Sequence, residues 1–171
     1  MSPKMGLDSL KGNLTNPQRT YNWEVKLLDV VGGGNTEMLL LRAQSTSLPG
    51  KSFGQIKIPY KQTSGFVVPG KLNFGQTWSC TFIEGEDKKV FDALHAWNQA
   101  IVNDTTGISI GDEQVKRDLY LTMISTKGED TLVMKLIGCF PQNVSDVSLS
   151  YDNEDAVKFE VTWSYDLWQE A

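Results

Sequence analysis

A single histidine, His95, occurs in the chain, in the middle of a stretch with helical periodicity and beside its apolar stripe. No serine or cysteine can be given to it as a partner, so it reads as a surface or rim residue rather than a general base. The two cysteines, Cys80 and Cys139, lie far apart in segments that are apolar and strand-like. Neither CxxC nor HExxH is present, and buried free thiols are the expected state. Asp152, Glu154 and Asp155 could offer oxygens to calcium, but they lack the EF-hand spacing and its closing glutamate, so a solvated turn is expected. Gly32-Gly33-Gly34-Asn35 is not a phosphate loop: the GxxxxGK[ST] pattern is missing, and the surroundings read as strand-to-strand. Three tripeptides, beginning at Asn13, Asn103 and Asn143, match the glycosylation pattern, but the first twenty residues lack the apolar core of a signal peptide. No catalytic residue, metal ligand or cofactor-binding residue is assigned, and an enzyme is not expected.

The elements that would have to position any chemistry are mostly strands. A chain of 171 residues, 40% hydrophobic and 10% aromatic, can fill one core. Residues 1–20 read as an N-terminal arm, either a frayed terminus or a segment that orders against a neighbouring subunit. Residues 21–171 read as one domain. The net charge of −5 argues against a protein that grips phosphates, though not against one that lets nucleic acid pass. No apolar run approaches the roughly 20 residues of a spanning helix, and the chain is expected to be made, and to stay, in a cytoplasm.

The longest regular pattern lies near the C-terminus. Val157, Phe159, Val161, Trp163, Tyr165 and Leu167 alternate with Lys158, Glu160, Thr162, Ser164 and Asp166, which predicts a strand with one buried and one wet face. Twelve residues at about 3.3 Å each would span about 40 Å. Val147, Leu149 and Tyr151 alternate in the same way upstream of the polar cluster 152–155, so the pair is expected to form a long antiparallel hairpin. Earlier strands are expected over Asn22–Val30, Glu37–Ser45 and Gln76–Ile83, the last with Trp78, Cys80 and Phe82 on one side. Later ones are expected around Leu119–Ile124 and Thr131–Phe140. One helix, about 87–102, places Val90, Leu94, Trp97 and Ile101 on one stripe, with Glu86 and Asp87 at its positive end. The fold class is therefore mainly β, a sandwich or barrel of antiparallel strands with one α-helix inserted.

Between Leu48 and Gln76 the pattern is strand-prone but broken by Pro59, Gly65, Pro69 and Gly70, which predicts a projecting hairpin or long loop over 51–75. Phe53, Tyr60, Phe66, Val67 and Phe74 are unusual in a solvated loop. Either the loop folds back on its own core, or these residues are a contact surface for another chain.

The order of segments resembles the tail tube proteins of contractile-tailed bacteriophages, kin to the tube proteins of type VI secretion. Asn22-Trp23-Glu24-Val25 is similar to the family's first strand, and Arg42 to Gly50 to a strand ending in a Leu-Pro break. Lys57-Ile58-Pro59 and Gly70-Lys71-Leu72 are similar to its projecting loop. Trp78 to Ile83, followed by the helix through Trp97, resembles a strand-then-helix step. The most specific part is Gly138-Cys139-Phe140-Pro141-Gln142-Asn143-Val144, with Leu149 to Asp152, Phe159 to Val161 and Tyr165 to Trp168. The resemblance implies a structural protein whose partner is first itself, in hexameric rings stacked into a tube with a continuous inner β-barrel. It further implies a sheath protein outside, baseplate and tail terminator proteins at the ends, and double-stranded DNA passing through the lumen without specific binding. The expected place is the virion tail, after assembly in the host bacterial cytoplasm. A baseplate tube initiator or a secreted tube subunit is the close alternative, and a carbohydrate-binding β-sandwich the distant one.

Overall fold

The computed structural model describes residues 6–14, 16–27, 30–32 and 41–171. A short helix α1 (Leu7–Asn13) precedes β1 (Trp23–Leu27), β2 (Ala43–Thr46), β3 (Ser52–Tyr60), β4 (Thr63–Asn73) and β5 (Thr77–Ile83). The main helix α2 (Lys89–Ile101) and a single turn α3 (Asp112–Val115) follow. The chain ends with β6 (Arg117–Ile124), β7 (Asp130–Val144), β8 (Lys158–Ser164) and β9 (Leu167–Glu170). Positions 33–35 of the expected turn Gly32–Asn35, the part of the expected second strand before Leu41, and positions 28 and 29 of the expected first strand lie outside the described residues; Val30, its expected end, is not in a strand.

Antiparallel pairing runs β1-β6-β7-β8-β5-β2, with β9 also on β7. Strand β7 serves both halves. Its first part, around Leu132–Ile137, pairs with β6 and β9, and its last part, Phe140–Val144, pairs with β8. Strands that pass from one sheet to another at a bend make the corners of a sandwich. Here the bend falls at Gly138, whose φ of +70° puts it in the left-handed region that favours glycine. A Cβ there would run into the Asp166 carboxylate, which is held by Lys116 at 3.1 Å.

The long C-terminal alternation exists, but it bends at Tyr165–Asp166 rather than running straight. Ser164 still faces Phe140 and Leu167 faces Ile137, so β8 and β9 keep one register along β7. Burial is deepest in the middle of the stripe: Val161, Trp163 and Tyr165 are buried, Phe159 is half-buried, and Val157 and Leu167 are exposed. The expected partner strand at Val147–Tyr151 does not form. Residues 145–157 are an irregular loop with Leu149 and Tyr151 exposed. β8 takes β7 and β5 as its two neighbours, leaving no edge for a third.

β5 buries Trp78, Cys80 and Phe82 against α2 and the facing strands. Helix α2 presents Val90, Ala93, Leu94 and Trp97 to the core, with Trp97 edge-to-face on Trp163 at 5.4 Å between ring centres. Full burial of side chains this size contributes about 1.5–3 kcal/mol each. The acids expected at the helix start are not the ones that cap it. Glu84 accepts the backbone N–H groups of Val90 (3.3 Å) and Phe91 (2.6 Å). Asp87 accepts both arms of Arg42 (2.9 and 2.7 Å), one of which also donates to Glu84 (3.2 Å). A left-handed Lys88 turns the chain into the helix, so Glu86 and Asp87 precede it while Glu84 reaches across its free amides.

Candidate assembly interface

Antiparallel β3 and β4 form a separate two-stranded sheet that pairs with no other strand among the described residues. Nearly every residue of it is exposed. Bulges at Ser64–Gly65 and Gly70–Lys71 each set two residues of β4 opposite one of β3. Gly65 takes a φ of +67°, and a Cβ there would overlap the Ile58 carbonyl. Gly70 approaches the Gly54 backbone so closely that a Cβ would stand 2.9 Å from it. Prolines 59 and 69 are accommodated because each strand of the hairpin has a neighbour on one side only.

Cross-strand partners share a face, so the register distributes the apolar residues. Ile58 faces Phe66 and Ile56 faces Val68; Tyr60 continues the same face of β3. The other face carries Phe53 opposite Leu72, Lys57 opposite Val67, and Gln55 opposite Pro69. The expected contact residues thus divide: Tyr60 and Phe66 share one face, and Phe53 and Val67 the other. Phe53 is 63% exposed, Tyr60 59% and Phe66 58%. Phe74 differs from expectation. It lies at the root of the hairpin, half-buried against the core, edge-to-face on Trp168 with ring centres 6.3 Å apart.

Ile56, Ile58, Val68 and Leu72 were not among the expected contact residues, although Ile56, Ile58 and Tyr60 alternate at the strand period. The prolines drew attention to the breaks and away from that alternation.

The residues weighed for chemistry stay separate. His95 is exposed and stacks flat on Phe91. Both cysteines are free and buried, and burial pushes each thiol up to about 12. Asp152 and Asp155 lie in an exposed loop and turn their backbone amides onto Ser150 and Asn153 side chains. Among the described residues, no three of His, Cys, Asp and Glu gather as a metal site would require.

The described residues thus form a small antiparallel β-sandwich with one helix and an apolar hairpin exposed on both faces. The family comparison is more specific. Residues 14–171 match the model of the phage tail tube protein family, and the chain belongs to that family. The tail tube protein of Serratia phage KSP90 is 23% identical over 143 residues, covering 81% of this chain and 80% of that one. A chain in the sixfold-symmetrised cryo-EM structure of the anti-feeding prophage baseplate shares the fold with a TM-score of 0.66 at 9% identity, covering 91% and 95% of the two chains. A chain from the sheath–tube complex of the extracellular contractile injection system PVC superposes with a TM-score of 0.57 at 19% identity, covering 91% and 93%. The protein is a structural subunit of a phage tail tube.

Proposed function

We propose that six copies of the chain close into a ring, that rings stack into a tube, and that the faces of the β3–β4 hairpin carrying Phe53, Tyr60, Phe66 and Val67 are seated on the neighbouring ring. The observation that carries this reading is the hairpin itself. A lone two-stranded sheet is marginal in water, and this one holds apolar side chains outward on both faces. Such a hairpin gains stability when another surface covers it. Among the described residues β1 and β2 end the sheet, and such edges suit pairing with neighbours in a closed ring, which removes exposed ladder groups.

In this reading a sheath surrounds the tube, and baseplate and terminator proteins close its ends. The sheath–tube and baseplate assemblies that contain chains of this fold support those partners. The tube is assembled in the host cytoplasm, and DNA passes down the lumen. A net charge of −5 supports passage without adhesion, because a wall of the same sign as phosphate does not hold it.

The test is a doubly substituted chain, Phe66→Ser with Val67→Ser, which takes one apolar residue from each hairpin face. Electron microscopy and sedimentation should find folded subunits or single rings in place of tubes, with a thermal midpoint within a few degrees of the parent. Tubes of parental length would refute the docking role, and loss of the circular dichroism spectrum would place these residues in the folding core.

A further inference from the structure

We infer that Trp168, acting with Lys51, Phe74 and Tyr165, is a latch that fixes the direction in which the β3–β4 hairpin leaves the body, and so positions the hairpin for docking. The inference rests on the docking role just proposed, and adds to it residues that lie outside the docking faces.

Both ends of the hairpin are tied to one short stretch of chain, the junction of β8 and β9. On the entering side, the Trp168 indole N–H donates to the Gly50 carbonyl at 3.2 Å. The next residue, Lys51, places its ammonium 4.1 Å from the centre of the Trp168 ring and 5.5 Å from that of Phe74, within cation–π range of both. On the leaving side, Phe74 meets Trp168 edge-to-face, and its carbonyl accepts the Tyr165 hydroxyl. The chain then turns through Gly75 and Gln76, both left-handed (φ +76° and +58°). The Gly75 amide donates to the Asn73 side chain (2.8 Å), and the Gln76 carbonyl accepts the Tyr165 amide (3.1 Å).

Beyond this root neither strand pairs with another strand among the described residues, so the root sets the angle of the whole hairpin. Strands of 9 and 11 residues act as a lever about 30 Å long. A small rotation at Gly50 or Phe74 therefore displaces the tip by many ångströms. The anchor is firm. Tyr165 is buried, and Trp168 sits in β9 opposite Leu136, whose side chain is fully buried.

The experiment measures hairpin direction apart from assembly. Spin labels are placed at Gln62→Cys in the hairpin turn and Lys127→Cys in the exposed β6–β7 turn; buried Cys80 and Cys139 stay unlabelled. Labelled chain is diluted into unlabelled chain, and the distance distribution is read by double electron–electron resonance. The parent should give a narrow distribution. Trp168→Ala should broaden it at least twofold and lower tube yield about tenfold. Lys51→Met should have a smaller effect, and Lys51→Arg, which restores the cation, should return the distribution to the parent's. Trp168→Phe keeps an aromatic surface for Phe74 and Lys51, and guards against simple unfolding of the alanine variant: it should still broaden the distribution measurably, because the bond to Gly50 is gone.

A distribution unchanged in both Trp168 variants would overturn the latch. Broadening with tubes formed at parental yield would overturn its positioning role. Failure of the docking reading would appear separately, as tubes formed by the Phe66→Ser, Val67→Ser chain.

Discussion

Trp97 and Trp163 are both fully buried and touch edge-to-face, yet the same substitution should cost far more at the first than at the second. The Trp97 indole N–H donates to the Val115 carbonyl at 2.8 Å. The Trp163 indole N–H is buried and meets no acceptor among the described residues. Replacing either indole by a phenyl ring removes two carbons from the core, a loss of about 1.6 kcal/mol at about 0.8 kcal/mol per carbon. At Trp97 the change also deprives the Val115 carbonyl of its donor, costing a further ~1–3 kcal/mol. At Trp163 it deletes an unpaired donor and recovers a similar amount.

Trp97→Phe should therefore lose about 3–4 kcal/mol, while Trp163→Phe should stay within about 1 kcal/mol of the parent. For a chain of this length a difference near 3 kcal/mol separates the thermal midpoints by about 6–12 °C. Urea unfolding of unassembled subunits, followed by far-ultraviolet circular dichroism, gives the free energies directly. Trp163→Ala serves as the control and should cost about 3–5 kcal/mol, because it leaves a cavity whatever the state of the N–H. Equal losses for the two phenylalanine variants would show that the Trp163 donor is satisfied in solution, and would refute the reasoning.

Burial holds the Cys80 and Cys139 thiols up to about 12, so the unfolded chain gives up these protons near pH 9 while the folded chain keeps them. Stability should be intact below pH 9 and fall toward pH 12, by up to about 1.4 kcal/mol per pH unit for each cysteine; in reducing buffer, Cys80→Ala should flatten that slope, and an unchanged slope would count against the assignment. Glu84→Ala should destabilise the subunit by about 1–2 kcal/mol through loss of the helix cap and of the Arg42 contact, whereas Glu86→Ala should change stability by less than about 0.5 kcal/mol. Thermal melting of the pair distinguishes a capping contact from a general dipole effect, which would make the two losses similar.

The strands with one buried face were legible because period-two alternation records a real asymmetry of environment. Val25 and Leu27, Trp78, Cys80 and Phe82, and Val161 and Trp163 are all in the core. The same pattern at Val147, Leu149 and Tyr151 gave a strand that does not form, for a physical reason. Alternation describes one strand, but a ladder needs a partner edge, and β8 already has neighbours on both sides. Nor could spacing reveal the bend at Gly138. It depends on a left-handed glycine facing Asp166 across the sheet, and that contact exists only in the folded register. The helix cap illustrates a similar limit. Glu86 and Asp87 were expected at the positive end of the helix, but the left-handed Lys88 turn brings Glu84 back over the free amides, while Arg42, distant in sequence, holds Asp87.

At the hairpin, the sequence pointed to contact residues but not to what holds them in place. Phe53, Tyr60, Phe66 and Val67 were recognisable as apolar side chains in a segment too broken to be core, and they are exposed. Phe74 resembled them in sequence and differs in structure because Trp168, near the other end of the chain, packs on it. A two-stranded sheet exposed on both faces has two sources of order available: its attachment at the root and the surface that covers it. The attachment acts on the single chain before any neighbour arrives, and it reduces the entropy that docking must still remove. In the proposed assembly the covering surface would act only once a neighbour is seated, and would supply the burial. Substitutions at Trp168 and Lys51 act on the first, and substitutions at Phe66 and Val67 on the second. A stacking defect caused at the root should therefore be relieved at a lower protein concentration than one caused by loss of the apolar faces, which removes the larger share of the association energy.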